Sequence, residues 1–207
     1  MTVTSGFDLQ RVQKIRKWAA GLCLAGAVGL ALVTATPLDE RLFHNAIEAF
    51  GLGAMIVAIV GRAWCSLYIG GRKKAEIVQR GPYSLSRNPL YLFSYIGAFG
   101  MGAQTGSVTM ATLFMVIAFV VFHFTIAREE AWLTNAFGAP YVAYMQQTPR
   151  YGPDFSRWLD EDTLQVRPQF FLTTLRDGLV MLLAIPIFEA IEKLQAMGTL
   201  SVLLHLP

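Results

Sequence analysis

The chain has 207 residues, of which 54% are hydrophobic and only 15% charged, and its mean hydropathy is +0.45. That balance is too apolar for an ordinary soluble domain and too poor in charge for a disordered one, so a membrane protein is expected. The net charge of +3 is dispersed around the apolar runs, which assigns the basic residues to topology and anionic lipid and excludes a nucleic-acid partner.

In chain order, residues 7 to 17 read as a short basic amphipathic helix on the membrane surface. Trp18 to Leu38 is a first span; it is long for a signal-peptide core and no small-x-small cleavage pattern follows, so it is taken as an anchor. Ala46 to Gly70 is a second, joined to the first through "TPLDERLFHN". Cys23 and Cys65 fall inside these runs as small packing residues with no disulfide framework. Arg62 is an intramembrane charge close to a span end. Pro89 to Gln104 is a third span, with Ala98, Gly102 and Gly106 in the small-xxx-small spacing that permits close helix approach. The turn "AQTGS" then predicts a tight hairpin with a fourth span, Val108 to Ala127. A fifth, Phe170 to Ala190, is interrupted by Arg176, Asp177 and Pro186. The expected fold class is all-α, an integral membrane bundle of about five transmembrane helices. Arg and Lys concentrate in the N-terminus, the 71 to 88 loop and the 128 to 168 segment, which the positive-inside rule places in the cytoplasm. Localisation in an inner or cytoplasmic membrane, with the working site facing the cytoplasm, follows.

The short turn has a consequence for the polar stretch "RGPYSLSRNPLYLFSYIG" at residues 80 to 97. Helices of similar length joined tightly bring their far ends together, so Arg87-Asn88-Pro89-Leu90-Tyr91 and Arg128-Glu129-Glu130 should converge at one membrane face. Gly138 and Pro140 then break the chain, and a short helix carrying Tyr141 and Tyr144 is expected to cover that cluster as a lid. "DFSRWLDED" reads as a solvated acidic linker. The chain divides accordingly into residues 1–75 (surface helix and first hairpin), 76–155 (polar core with its lid) and 156–207 (linker and last hydrophobic helix).

"GPYSLSRNPLY" followed by "REEAWLTNAFGAPYVAYMQQTPRYGP" resembles the membrane methyltransferase superfamily that includes isoprenylcysteine carboxyl methyltransferases and phospholipid N-methyltransferases. The likeness covers roughly residues 76 to 155. It implies S-adenosylmethionine as cofactor and a lipophilic small molecule or lipid as substrate, with the bilayer as the other partner. Residue by residue, it implies cofactor binding by Tyr83, Arg87, Asn88, Pro89, Tyr91, Glu130, Tyr141 and Tyr144, and catalytic roles for Arg150, Glu129 and Arg128. The side chains suit such a ligand: Arg87 and Asn88 can meet its carboxylate, Glu129 or Glu130 its ammonium, and the tyrosines its sulfonium.

Singly, each residue has a plainer reading. Arg87 could be a snorkelling anchor, "GPY…NP" a turn, and Glu129-Glu130 a solvated helix end, although the C-terminal end of a helix disfavours paired carboxylates without a cation nearby. Asn88 stands where many family members have His, so it can position a ligand but cannot act as a base near neutral pH. Gln147 stands where isoprenylcysteine enzymes carry Arg, with Arg150 just beyond the turn, which leaves a prenylcysteine carboxylate as acceptor open. His123 shares a helix face with Glu130 and reads as structural. His44 and His205 stand alone, and no metal is expected. O- or S-methylation of the isoprenylcysteine type leads, with a phospholipid amine N-methyltransferase as the alternative and a nicotinamide-dependent membrane reductase further behind.

Overall fold

The computed structural model describes residues 21, 25–35, 41–72 and 75–206. Its elements, in chain order, are a helical segment at 25–31, strand β1 (Thr34–Ala35), α1 (Arg41–Ile69), α2 (Pro82–Leu85), α3 (Pro89–Ala103), α4 (Val108–Phe137), α5 (Ala139–Gln147), α6 (Pro168–Leu179), α7 (Ala184–Ala196) and strand β2 (Leu204–His205). Single 3₁₀ turns lie at Phe155–Arg157 and Val180–Leu183. The expected all-α membrane bundle is what forms. The surface helix at 7–17, residues 18–20, 22–24 and 36–38 of the first span, and the first half of its closing turn (36–40) lie outside the described residues, while residues 41–45 of that turn already belong to α1.

Three helical stretches are long and apolar enough to cross a membrane: Leu42–Ile69, Val108–Phe137 and Pro168–Ala196. The last is α6, the 3₁₀ turn and α7 in continuous succession. Pro186 explains the tightened turn, since it has no N–H for the Leu182 carbonyl and its ring crowds that group. Helix α3 has only 15 residues, about 22 Å, less than the roughly 30 Å of a hydrocarbon core. The irregular backbone that precedes it is tolerated because it is enclosed by protein: all four residues of α2 are buried.

Helix α3 lies between α1 and α4, and glycine sets both distances. A Cβ on Gly100 would stand 2.6 Å from the Gly51 carbonyl oxygen of α1, and one on Gly102 would stand 2.7 Å from the Met110 carbonyl oxygen of α4. Gly102 therefore serves the close approach expected of it. Gly106 belongs to the turn instead, at φ +66°, with its α-carbon against the His44 ring.

Three features differ from the sequence reading. The helix of the first span ends at Ala31, because the chain leaves it for β1, which pairs in parallel with β2. Gln195 fastens the same turn by donating from Nε2 to the carbonyls of Ala31, Leu32 and Thr34. Helix α4 continues ten residues past Ala127 to Phe137, since nothing breaks it before Gly138 (φ +63°), so Glu129 and Glu130 are two turns inside the helix. Finally, the acidic linker keeps its side chains in solvent but is stitched to the bundle. The Gly81 N–H donates to the Leu159 carbonyl (2.8 Å), Tyr68 to Asp160 (2.9 Å), and Trp158 stacks on Trp64 at 5.8 Å.

Candidate active site

Residues 80 to 88 supply one wall of the site, and local chemistry dictates their path. Gly81, at φ +57°, lies so close to the Tyr68 ring that a Cβ would stand 2.3 Å from it. Both the dihedral and the space require glycine there. Pro82 and Pro89 each open a helix, where their missing N–H has no cost. Ser86, 1% exposed, ties this loop to the chain that returns after α5, donating to the Tyr151 carbonyl at 3.1 Å and accepting from the Asn88 N–H. The Arg87 N–H donates to the Pro149 carbonyl at 2.9 Å.

Asn88 occupies the N-cap of α3, yet its side chain makes no capping bond. Its Nδ2 instead donates to Glu130 Oε1 (3.3 Å) and to the Arg150 carbonyl (3.2 Å). An asparagine at this position ordinarily satisfies the first helical N–H groups, so its diversion across the helices marks a competing polar demand. Glu130 is the centre of that demand. Its side chain is 6% exposed and is met by Arg87 Nε at 3.5 Å and Arg150 Nε at 2.9 Å, with Arg150 Nη2 in close contact. The hydrogen bond to Glu130 holds the Arg150 guanidinium still further above its already high ordinary pKa. Glu129, also buried, accepts from the Tyr91 hydroxyl at 3.1 Å.

The cations that balance these carboxylates therefore come from the protein itself, and their location is not a helix end. The dipole argument drawn from sequence does not apply, because α4 runs on for two turns. What remains of it is the requirement for positive charge beside two buried carboxylates, which Arg87 and Arg150 meet.

Helix α5 forms the remaining wall. Tyr144 donates to the Tyr83 carbonyl at 2.7 Å, and the Tyr141 and Tyr144 rings lie 5.9 Å apart. Burial pushes the Tyr141 hydroxyl up to about 12 and raises those of Tyr83 and Tyr144 as well, so all three are neutral donors at physiological pH. Between these groups lies a cavity of about 140 Å³ lined by Tyr83, Arg87, Asn88, Tyr91, Glu129, Glu130, Tyr141 and Tyr144. Ile69, Glu76, Ile77, Val78, Leu90 and Leu133 complete it.

Of the residues singled out from sequence, only three stand outside that lining. Pro89 opens α3 beside it, Arg150 reaches it through Glu130, and Arg128 is exposed. The lining from Glu76, Ile77, Val78 and Leu133 was not anticipated. Leu133 sits one turn after Glu129 on the same helix face, a spacing that could have identified it, whereas the 76–78 contribution depends on tertiary folding. His123 bonds the Tyr151 hydroxyl through Nδ1 at 2.7 Å, and Tyr151 in turn lies beneath the Arg150 guanidinium, 6.0 Å from ring centroid to Cζ. His123 thus ties α4 to the segment that returns after α5. Arg62 donates to Ser94 within the bundle. His44 does not stand alone: Glu48, one turn along α1, and Glu192 of α7 both face it. The first of these contacts follows from i, i+4 spacing, but the second needs the fold.

The polar ends of this helical hairpin close on a buried Glu, two Arg and a wall of tyrosines, and the comparisons with known sequences show the family. The chain belongs to the membrane methyltransferase superfamily, and its residues 49–140 match the family model described as phospholipid methyltransferase. It is 33% identical over 170 residues to the nickel-cobalt-cadmium resistance protein NccN of Alcaligenes xylosoxydans xylosoxydans, covering 82% of this chain and 79% of that protein. It is 33% identical over 157 residues to the cobalt-zinc-cadmium resistance protein CzcN of Cupriavidus metallidurans, covering 75% and 72%. A shorter match, 30% over 97 residues, joins 46% of this chain to 40% of the protein-S-isoprenylcysteine O-methyltransferase of Schizosaccharomyces pombe. No solved structure matches it at a significant level.

Proposed function

We propose that the protein transfers a methyl group from S-adenosylmethionine to a lipophilic acceptor, with the cofactor reaching the site from the cytoplasm and the acceptor from the bilayer. The observation that carries this reading is the cluster of Arg87, Asn88, Glu130 and Arg150 closed over by Tyr83, Tyr141 and Tyr144. The donor set fits the cofactor's amino-acid moiety, which is a zwitterion. Its carboxylate would take Arg87 and its ammonium Glu130 or Glu129, so each partner exchanges one ion pair for another and no buried charge is left alone. The apolar lining from Ile69, Ile77, Val78 and Leu133 suits an adenine ring. A cavity of 140 Å³ is smaller than the roughly 300–1,000 Å³ of a small-molecule pocket, so α5 acts as a lid that moves outward to admit the ligand.

The cofactor supplies an electrophilic methyl group on a sulfonium, whose bond to sulfur breaks as the acceptor's bond to carbon forms. The protein's part is to position and to exclude water. Orientation alone contributes on the order of 7–11 kcal/mol in favourable systems, so no strong base is required of Asn88. The neutral tyrosines face the sulfonium with electron-rich rings. For a carboxylate or thiolate acceptor, Arg150 orients the anion; for an amine, Glu129 receives the proton. O- or S-methylation of the isoprenylcysteine type leads this reading. The phospholipid description of the matched family favours a headgroup amine as the second acceptor class. The names of the bacterial relatives add a physiological setting, tolerance of divalent transition metals, in which this activity would be exercised.

The test incubates the purified chain with methyl-labelled cofactor and a total lipid and metabolite extract, then identifies the labelled product. Label in a lipid-soluble product, lost in Glu130→Gln, is expected. No transfer to any extract fraction by folded, cofactor-saturated protein would overturn the reading.

A further inference from the structure

At the opposite end of the bundle, α1, the α3–α4 turn, α7 and β2 enclose a second cavity, of about 420 Å³. Its polar lining includes His44, Thr105, Glu192, Gln195 and His205. Ile69, which lines the first cavity, is at the far end of α1 from His44, roughly 35–40 Å away at 1.5 Å per residue. Whatever this cluster does, it does not touch the methyl-transfer site.

We propose that His44, Glu48 and Glu192 bind a divalent transition cation, with Zn²⁺ as the reference ion. Three observations support it. First, one ligand atom from each residue lies within 4.8 Å of the others. His44 Nε2 stands 3.3 Å from Glu48 Oε1 and 3.4 Å from Glu192 Oε1. Ligands held at about 2.0–2.2 Å from one tetrahedral ion are separated by about 3.3–3.5 Å, whereas a charge-assisted N–H···O bond draws in to about 2.7–2.9 Å. The two separations are longer than a short charge-assisted hydrogen bond and leave room for an ion between the groups. Second, Glu192 Oε1 is buried and accepts no hydrogen bond from any described residue. The Glu192 side chain as a whole is 39% exposed, so this one shielded oxygen is what lacks a donor, and a metal ion would supply its partner. Third, the imidazole is held in place from behind. Gly106, at φ +66°, presents its bare α-carbon to the ring, and a Cβ there would stand 1.8 Å from Nδ1. The ring therefore turns Nε2, its other nitrogen, toward the two carboxylates.

The chemistry is consistent. Two carboxylates and a neutral imidazole neutralise a dication, and a mixed nitrogen and oxygen set suits zinc and its first-row neighbours better than magnesium or calcium. Three protein ligands leave one position open in tetrahedral geometry, which water in the cavity would fill. Because Glu192 comes from α7 and His44 and Glu48 from α1, the ion would clamp α7 to α1.

The experiment uses the full chain, free of any polyhistidine tag, in lipid nanodiscs. Zn²⁺ titrated calorimetrically should bind with one equivalent, and the zinc X-ray absorption edge should show nitrogen and oxygen neighbours with imidazole scattering. His44→Ala and the isosteric Glu192→Gln should each weaken binding roughly tenfold or more, while Glu130→Gln leaves it unchanged. Sulfur neighbours at the edge, absence of a stoichiometric ion in the parent protein, or parent-strength binding in both His44→Ala and Glu192→Gln would each overturn the proposal. The absorption and stoichiometry measurements need no variant, so misfolding of a substituted protein does not leave the question open.

Discussion

Replacing Glu130 by Gln removes one charge from the centre of the site while keeping its shape, and the structure sets the size of the response. Two guanidiniums and one amide converge on that carboxylate. Hydrogen bonds to charged groups contribute about 1.5–3 kcal/mol, and removing one partner of a buried pair costs about 3–5 kcal/mol. The two arginines do not share this equally. Arg150 is 36% exposed and water replaces much of what it loses, as for a surface pair worth about 0–1 kcal/mol. Arg87 is 12% exposed and would keep an uncompensated charge, facing an amide that now offers donors. We therefore expect Glu130→Gln to lower stability by about 2–4 kcal/mol, read from equilibrium unfolding in mixed micelles. Affinity for S-adenosylmethionine should fall tenfold or more in whatever protein stays folded. The neighbouring Glu129→Gln is the comparison: the Tyr91 hydroxyl donates to its carboxylate, while Arg87 and Arg150 meet Glu130 instead, so a loss at the lower end of the range for one charged hydrogen bond, about 1.5 kcal/mol, is expected. Equal, small effects at both positions, with cofactor affinity intact, would refute the assignment of Glu130 as the charged centre.

Asn88→Leu should lower cofactor affinity by roughly 1–3 kcal/mol through loss of its bonds to Glu130 and the Arg150 carbonyl, whereas Asn88→His should retain binding, as calorimetry would read. Tyr144→Phe removes the bond to the Tyr83 carbonyl and should speed hydrogen exchange across residues 139–147 at a cost of about 1 kcal/mol; unaltered exchange would mean that this bond does not hold α5 down. Raising pH should loosen the same helix. Tyr141 ionises at about 12 in the fold and near 10 when released, so the folded state retains its proton more strongly and stability falls as pH climbs from about 10 to 12, measurable as faster proteolysis at Arg150. Gly61→Val should destabilise by about 1–3 kcal/mol, since even a Cβ there would lie 2.3 Å from the Phe93 ring, with thermal unfolding as the readout.

Much of this arrangement was legible in the residues because it depends on short-range rules. A five-residue turn between two apolar runs forces their other ends together, which brought the segments 87–91 and 128–130 to one face, while the individual pairs Asn88–Glu130 and Tyr91–Glu129 are set by the fold. Gly138 and Pro140 likewise punctuated the chain where α5 begins. The less legible parts are long-range or cooperative. The end of α4 was placed too early because hydropathy fades at Arg128, while helical hydrogen bonding continues through polar residues until a glycine adopts positive φ. The wall from Ile77 and Val78 and the meeting of His44 with Glu192 depend on how distant segments fold back, which periodicity does not encode. The linker misled for a related reason: its side chains are solvated as composition suggests, but its backbone is what binds Gly81 and Ser84.

The pairing of Thr34 with Leu204 has a consequence for the order in which the protein is made. A chain emerging at about 5–20 residues per second needs on the order of ten to thirty seconds between synthesis of the first strand and of its partner. Throughout that interval, the carbonyls of Ala31, Leu32 and Thr34, which Gln195 will later engage, must rely on water or lipid headgroups. Insertion of the early helices therefore precedes their fastening, and a chain whose synthesis halts before Gln195 and Leu204 are made would be inserted but unlatched at the turn after residue 31.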